Sequence, residues 1–513
     1  MRKRNVLTAL AAAVMVLQLV GPAGPASAQA AFEFEFTPTS GPPGTKIAFS
    51  GSGCPHVEAN QFDGLFFLTQ GSNQTDPVTF ESDASGEFSG EYDTTGLQPG
   101  AYTTFAACSS ATPPTGGPGE AFTVTIPVTP TATYFPLTPA RILDTRVGTG
   151  APAAALGPGG VIDVKVTDIG GVPAENVTAV ALNVVATDIS GPDSYLTVWP
   201  TGQAKPFASN LNYKQGVSVP NLVIARVGID GKVSMYNNLG TVNLAADVQG
   251  YFLGNATGST YFSLPPSRIL DTRNGTGGVS TAVGPGGVIE VKVTDAGGVP
   301  AAGGTAVALN VTATNVSGAE SYLTVWPTGA ARPTASNLNF IAGQTVPNLV
   351  IARVGDGGKV SIYNNVGTVD VVADTQGWFA TPGTDPPGSS YFPTSPARIL
   401  DTRTGEGVPG GFQGHLGEGG TIDLQVRGRG GVPSNATAVV LNVTAADAFG
   451  PDSYLTVYPT GTNRPLASNL NFVNGQTVPN LVIAKIGTEG KVTIYNNLGA
   501  VVVIADVQGW FTG

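Results

Sequence analysis

RILDTR stands at residues 141–146, again at 268–273 and again at 398–403. Each copy follows a Tyr-Phe pair, Tyr134-Phe135, Tyr261-Phe262 or Tyr391-Phe392, and each is closed further on by a second shared word: ADVQGYF at 246–252, ADTQGWF at 373–379 and ADVQGWF at 505–511. The central aspartates, Asp144, Asp271 and Asp401, are 127 and 130 residues apart. A period of that length is far too long for one turn of a solenoid and is an ordinary size for a domain that buries its own core. The spacing predicts three homologous modules over 134–253, 261–380 and 391–513, separated by Pro/Gly/Ser/Thr joins at 127–133, 254–260 and 381–390. Separate beads in a row are the expected arrangement. A trefoil or propeller ranks well behind, because a propeller blade has about four strands and far fewer residues.

Within a module every segment reads as β. In the first copy VIDVKVTD (161–168), TAVALNVVATD (178–188), SYLTVWP (194–200), NLVIARVG (221–228), KVSMYNN (232–238) and TVNLAADVQGYF (241–252) are rich in β-branched and aromatic residues and bounded by Gly, Pro or Asn. With RILDTR and SNLNY (209–213) this makes about eight strands, the complement of a two-sheet sandwich or jelly roll. Alternation places Leu222 and Ile224 on one side of a strand and Val223 and Ala225 on the other, so that strand is expected to be covered on both faces. The Asp-Gly of RVG-IDG-KVS (226–234) supplies positive-φ positions and predicts a hairpin.

The residues ahead of the modules belong to a different domain. Arg2, Lys3 and Arg4 precede an apolar run, and small residues then end in Ala26-Ser27-Ala28, the layout of a cleaved signal peptide over 1–28. FEFEF (32–36) alternates cleanly, and turn signals at regular spacing predict an immunoglobulin-like sandwich over 31–127. Two cysteines, Cys54 and Cys108, fall inside it, and export predicts a disulfide between them. No later segment is apolar over the length a membrane span needs, so a secreted or surface-associated protein is expected. The chain has 24 Lys plus Arg against 35 Asp plus Glu, a formal net charge of -11. That balance argues against a nucleic-acid partner and suits an exterior facing cations or cell-wall polymer.

The repeated words resemble the tandem repeats of secreted actinobacterial surface proteins: RILDTR, SYLTVWPTG, SNLNF followed by GQTVPNLVIARVG, GKVSIYNN and ADVQGWF, in that order, over nearly all of 134–511. The opening PTSGPPGTKIAFSGSGC and the closing GAYTTFAAC similarly resemble bacterial immunoglobulin-like domains of exported proteins. The resemblance implies a cell-surface setting and carries over no catalytic residue. The third copy departs from it, with LTVYPTG, Lys485 in place of arginine and a more basic DLQVRGRGG (423–431).

Two constellations recur in every module. Asp144 lies between Arg141 and Arg146, Asp271 between Arg268 and Arg273, and Asp401 between Arg398 and Arg403. A carboxylate held by guanidinium groups is ionised with a lowered pKa, the wrong state for a general acid. A second acid per module, Asp247, Asp374 or Asp506, lies among core-type residues, so the favoured reading is a structural ion-pair network tying the first strand to the last. A cation site and a glycosidase-like acid pair rank below it. The second constellation is aromatic: Tyr195 and Trp199, Tyr322 and Trp326, and Tyr454 and Tyr458 share strand faces and could stack on sugar rings, or simply pack inside. HExxH, Walker A, EF-hand and G-x-S-x-G motifs are missing, and neither His56 nor His415 recurs between modules. Two thiols and two scattered histidines make no metal-ligand set. The expectation is a non-enzymatic structural or adhesive protein with no cofactor, making multivalent contacts. Binding of a cell-wall or extracellular polysaccharide with one lectin-like site per repeat is the alternative, and an unrecognised hydrolase comes third.

Overall fold

A computed structural model of the chain describes residues 33–124 except 38–39, 42–45, 55–62, 71–72, 75–76, 95–99 and 109–115, and residues 132–513 except 255–256, 382 and 385–386. The signal-peptide segment lies outside the described residues. The chain is all-β and divides into two compact units, 1–128 and 129–513. Among the described residues no helix is long and apolar enough to cross a membrane.

The first unit is a two-sheet sandwich of β1 (Glu33–Thr37), β2 (Ser40–Gly41), β3 (Lys46–Ser52), β4 (Gly64–Gln70), β5 (Asn73–Gln74), β6 (Val78–Phe80), β7 (Phe88–Asp93), β8 (Gly100–Cys108) and β9 (Gly116–Val124). One sheet runs β1-β3-β7 and the other β2-β9-β8-β4-β5, with β6 also on β4. Alternation in β3 turns Ile47 and Phe49 inward onto Phe66 of β4, the Phe49 and Phe66 rings stacking 4.3 Å apart. Cys54 and Cys108 form a disulfide within this core.

The second unit holds the repeats. The first has eight strands: β10 (Thr133–Asp144), β11 (Val161–Lys165), β12 (Val177–Ser190), β13 (Ser194–Pro200), β14 (Leu211–Tyr213), β15 (Val219–Arg226), β16 (Lys232–Asn237) and β17 (Thr241–Leu253). They form two antiparallel sheets in the orders β10-β17-β12-β15 and β11-β16-β13-β14. Numbered one to eight within the repeat, these orders are 1-8-3-6 and 2-7-4-5, the connectivity of a jelly roll, and the other two repeats have the same orders. Each repeat has a core of its own, in the first Val180, Leu182, Leu196, Val198, Val223 and Leu244 among others.

The 226–234 turn departs from expectation. Asp230 and Gly231 have the positive φ values of 56° and 68° that an Asp-Gly turn supplies. The strands on either side, however, belong to different sheets, so the turn is a corner between layers and not a hairpin.

The larger correction concerns the beads. The three repeats share a fourth core, built from the second faces of their β10-β17-β12-β15 sheets. Ala179, Ala181, Leu222, Ile224, Tyr134 and Phe252 enter it from the first repeat, with the counterparts of all three repeats beside them. The contacts are cyclic. Tyr134 lies 4.5 Å from Phe379, Tyr261 4.2 Å from Phe511 and Tyr391 4.5 Å from Phe252, ring centre to ring centre. Backbone N–H groups of Leu222, Leu349 and Leu481 each donate at 3.1 Å to the carboxamide oxygen of Asn348, Asn480 and Asn221 in the next repeat. The joins are also committed: Tyr134 pairs with Ser259, Tyr261 with Ser389, and Tyr391 N–H reaches the Ala132 carbonyl, closing the ring. Residues 132–513 are thus three jelly rolls fused around a pseudo-three-fold axis.

Candidate functional site

The RILDTR ionic cluster forms where β10 meets β17. Antiparallel register sets Arg141 opposite Asp247, and β12 brings Asn183 to the other side of Asp247. Arg141 donates from Nε to Asp247 at 2.5 Å and from Nη1 to Asp144 at 2.7 Å, while Arg146 grips Asp144 from Nε at 2.9 Å and Nη2 at 2.7 Å. The second repeat repeats the arrangement with Arg268 between Asp271 and Asp374, and Arg273 on Asp271. The third uses Arg398 between Asp401 and Asp506, and Arg403 on Asp401. The aspartates are buried, with Asp144 5% exposed and Asp247 0%.

The two acids of a cluster are tuned apart. Hydrogen bonds from Arg146 and Arg273 hold Asp144 and Asp271 below the ordinary carboxylate range. Burial works to raise Asp401, and the hydrogen bonds from Arg403 outweigh it. Asp247, Asp374 and Asp506 go the other way because burial outweighs the pull of Arg141, Arg268 and Arg398. An ionised acid beside one with a raised pKa is the signature of a glycosidase pair. Here both carboxylates are occupied by the same arginine inside the protein, which leaves no room for a sugar between them.

The cluster also does something the sequence did not disclose. The backbone N–H of Ser336, in the second repeat, donates to Asp247 of the first, and Ser468 and Ser209 do the same for Asp374 and Asp506. The Ser336 carbonyl in turn accepts from Asn183 at 2.5 Å, with Asn310 to Ser468 and Asn442 to Ser209 completing the cycle. Each cluster therefore ties together its own strands and the loop of the neighbouring repeat. The loop word ASN and the LNV asparagine carried this signal, but only as unexplained repetition.

The aromatic face divides. Trp199, Trp326 and Tyr458 are 6%, 6% and 8% exposed, so of the two readings, stacking on a sugar or packing inside, these three rings take the second. The loop after β13 folds back over them: Trp199 Nε1 donates to the Gln203 carbonyl at 3.0 Å and Trp326 Nε1 to the Ala330 carbonyl at 3.0 Å. Tyr195, Tyr322 and Tyr454 remain half-buried at the open end of the strand. The first two have a tyrosine neighbour that sequence reasoning passed over. Tyr236 and Tyr363, one strand across, lie 6.2 and 6.1 Å from Tyr195 and Tyr322. A cation from the β13 loop covers the second ring, Lys205 on Tyr236 at 4.6 Å, Arg332 on Tyr363 at 3.6 Å and Arg464 on Tyr495 at 3.8 Å. The Tyr of KVSMYNN, KVSIYNN and KVTIYNN was the available signal.

No family model matches the chain, and no curated protein matches it. Among solved structures, a Salmonella alpha-2-macroglobulin aligns over 90% of the chain at 10% identity and TM-score 0.16, the chain spanning 28% of that protein. An archaeal virus protein with a triple jelly roll fold aligns over 70% of this chain and 84% of its own at 9% identity and TM-score 0.15. A Bacteroides ovatus SGBP-B from a mixed-linkage glucan utilization locus, solved with a heptasaccharide, aligns over 96% and 98% at 12% identity and TM-score 0.13. Likeness this slight carries no argument about this chain.

Proposed function

We propose that the protein is an exported, non-enzymatic structural or adhesive component of a cell surface or extracellular matrix, with polysaccharide as its partner. The observation that carries this reading is a half-buried tyrosine under a cation, Tyr236, Tyr363 or Tyr495, which recurs once per repeat and in the first two repeats has a second tyrosine beside it. Flat rings beside a charged side chain suit the apolar face and hydroxyl edge of a sugar. Fusion of the repeats fixes three such faces at constant separation, which replaces the reach of flexible beads with rigid multivalency. The ionic clusters serve the same end by locking repeat to repeat.

The test is capture of the purified chain by insoluble cell-wall polysaccharide, with and without Tyr236→Ala, Tyr363→Ala and Tyr495→Ala together. Retention is expected to fall far more in the triple variant than in any single one, as avidity requires. Equal retention of wild type and triple variant, with unchanged melting, rejects the tyrosine faces as the contact.

A further inference from the structure

The segment between β14 and β15 (residues 214–218) and its two counterparts converge at one end of the pseudo-three-fold axis, above the ring of Asn221, Asn348 and Asn480, and enclose a cavity of about 260 Å³. All three repeats contribute to its wall, the first the most. Its walls carry a polar set whose orientation is fixed from behind. Asn212, Asn339 and Asn471 each have the carboxamide oxygen occupied by a serine hydroxyl of the same loop, Ser209, Ser336 and Ser468, at 3.1, 3.2 and 3.0 Å. Gln344 and Gln476 have theirs occupied by the backbone N–H of Ile341 and Val473 at 3.0 and 3.1 Å. Each of these oxygens already accepts one hydrogen bond, whereas none of the five amide nitrogens has a partner among the described residues, so this part of the lining offers donors. The half-buried ring of Tyr195 adds a flat wall on one side, and Lys214 and Asp193 stand exposed at the rim.

We infer that this axial cavity is a binding site for one sugar unit, best filled by a carboxylate-bearing hexose. Five amide donors without a partner inside the protein call for a ligand rich in acceptor oxygens, and a carboxylate offers about four lone-pair positions, while Lys214 offsets the charge of Asp193 at the rim. Tyr195 supplies the stacking face that a pyranose uses. The size falls just below that of ordinary ligand pockets, which run from about 300 Å³ upward, and suits a single ring in place of an extended chain. The first repeat breaks the symmetry: it has Val217 where the others have Gln344 and Gln476, so the cavity has one apolar wall and a preferred ligand orientation.

The inference rests on the polysaccharide reading and adds a distinct stoichiometry to it, one site per molecule on the axis against three on the outer faces. Equilibrium dialysis of the full chain with radiolabelled glucuronic acid, with glucose for comparison, reads both affinity and site number. Val217 shows that valine fits this position, so the double variant Gln344→Val/Gln476→Val keeps its fold, checked by its melting temperature. The expected result is one equivalent of glucuronic acid, bound more tightly than glucose. Affinity falls about tenfold or more in the double variant. The isosteric Asn471→Asp, which replaces a donor by a negative charge, abolishes uptake. Three equivalents, or binding that survives both variants and disappears with the three outer tyrosines, overturns the axial site and leaves the polysaccharide reading standing. No uptake of either sugar by a chain that cell-wall polysaccharide still captures overturns the axial site alone; failure of both assays overturns both readings.

Discussion

At the scale of the residue, the acid between two arginines is a joint. Arg141 satisfies two carboxylates at once, and one of them, Asp247, also accepts a backbone hydrogen bond from the next repeat. Removing a partner leaves a buried charge uncompensated, which costs about 3–5 kcal/mol. Arg268→Met is accordingly expected to lower the melting temperature of the whole three-repeat block in a single transition, because the orphaned Asp374 also holds Ser468 of the third repeat. Calorimetry resolving a separate early transition for the second repeat would contradict this. The pH dependence follows from the opposed shifts. Asp144, Asp271 and Asp401 lie below the ordinary value of 3.8, so the stability they provide is complete above that value and is lost as pH falls through their lowered ones. Asp247, Asp374 and Asp506 are raised, so the folded state holds their protons more tightly and gains stability as pH falls toward their values. The melting temperature is therefore expected to hold or rise slightly from neutral pH to about pH 4 and to drop below it. A steady decline that begins near pH 6 would show that other groups govern acid stability.

At the scale of the element, the last strand of each repeat shows what a sequence reveals and what it conceals. The glycine of DVQGYF, DTQGWF and DVQGWF lies under the buried tyrosine of the first strand. A Cβ on Gly377 would stand 2.2 Å from Tyr261 Oη and 2.6 Å from the Phe262 carbonyl oxygen. Gly377→Ala is expected to destabilise by about 1–3 kcal/mol through forced displacement of Tyr261, whereas Gly284→Ala, with open space around its Cβ, should be nearly neutral. Denaturant midpoints of the two variants check the contrast, and equal midpoints would refute it. Eight strands per repeat were legible because β-branched runs and Gly/Asn/Pro punctuation are local signals. The two-sided burial of Leu222/Ile224 and Val223/Ala225 was legible from alternation. What lay across the second face was not, since Ala179 and Leu222 carry the same apolar signal whether they meet a sheet of their own repeat or another's. The same ambiguity hid Trp199: its strand face was read correctly, and what covers that face is the loop directly after the strand, held by a local hydrogen bond to the Gln203 carbonyl that strand alternation does not encode. The 226–234 turn shows the limit of turn chemistry, which fixes φ at Asp230 and Gly231 but not which sheet the next strand joins.

At the scale of the whole molecule, the ring makes the repeat an incomplete folding unit. Each repeat satisfies one face of its β10-type sheet within its own core and leaves the other for the axis, where Leu222, Ile224, Tyr134 and Phe252 of the first are all at most 1% exposed. Released from its neighbours, repeat 134–253 would expose these side chains together with Ala179 and Ala181, an apolar patch flanked by the Asn183 carboxamide and the Asn221 carboxamide oxygen, both stripped of their inter-repeat partners. Patches of this kind on soluble monomers mark interaction surfaces or cause aggregation. The geometry supplies a specific remedy, because the axial contacts are cyclic and the donor and acceptor of each Leu–Asn bond occur on every repeat. Three identical copies can therefore close the ring that one chain closes in tandem, as rotational symmetry permits. An isolated first repeat is expected to run as a trimer by light scattering, and Asn221→Ala in that background to push it toward aggregates or monomer. A stable, monodisperse monomer that melts as cooperatively as the full chain would show that the axial core is dispensable, and with it the rigid spacing on which the proposed multivalency depends.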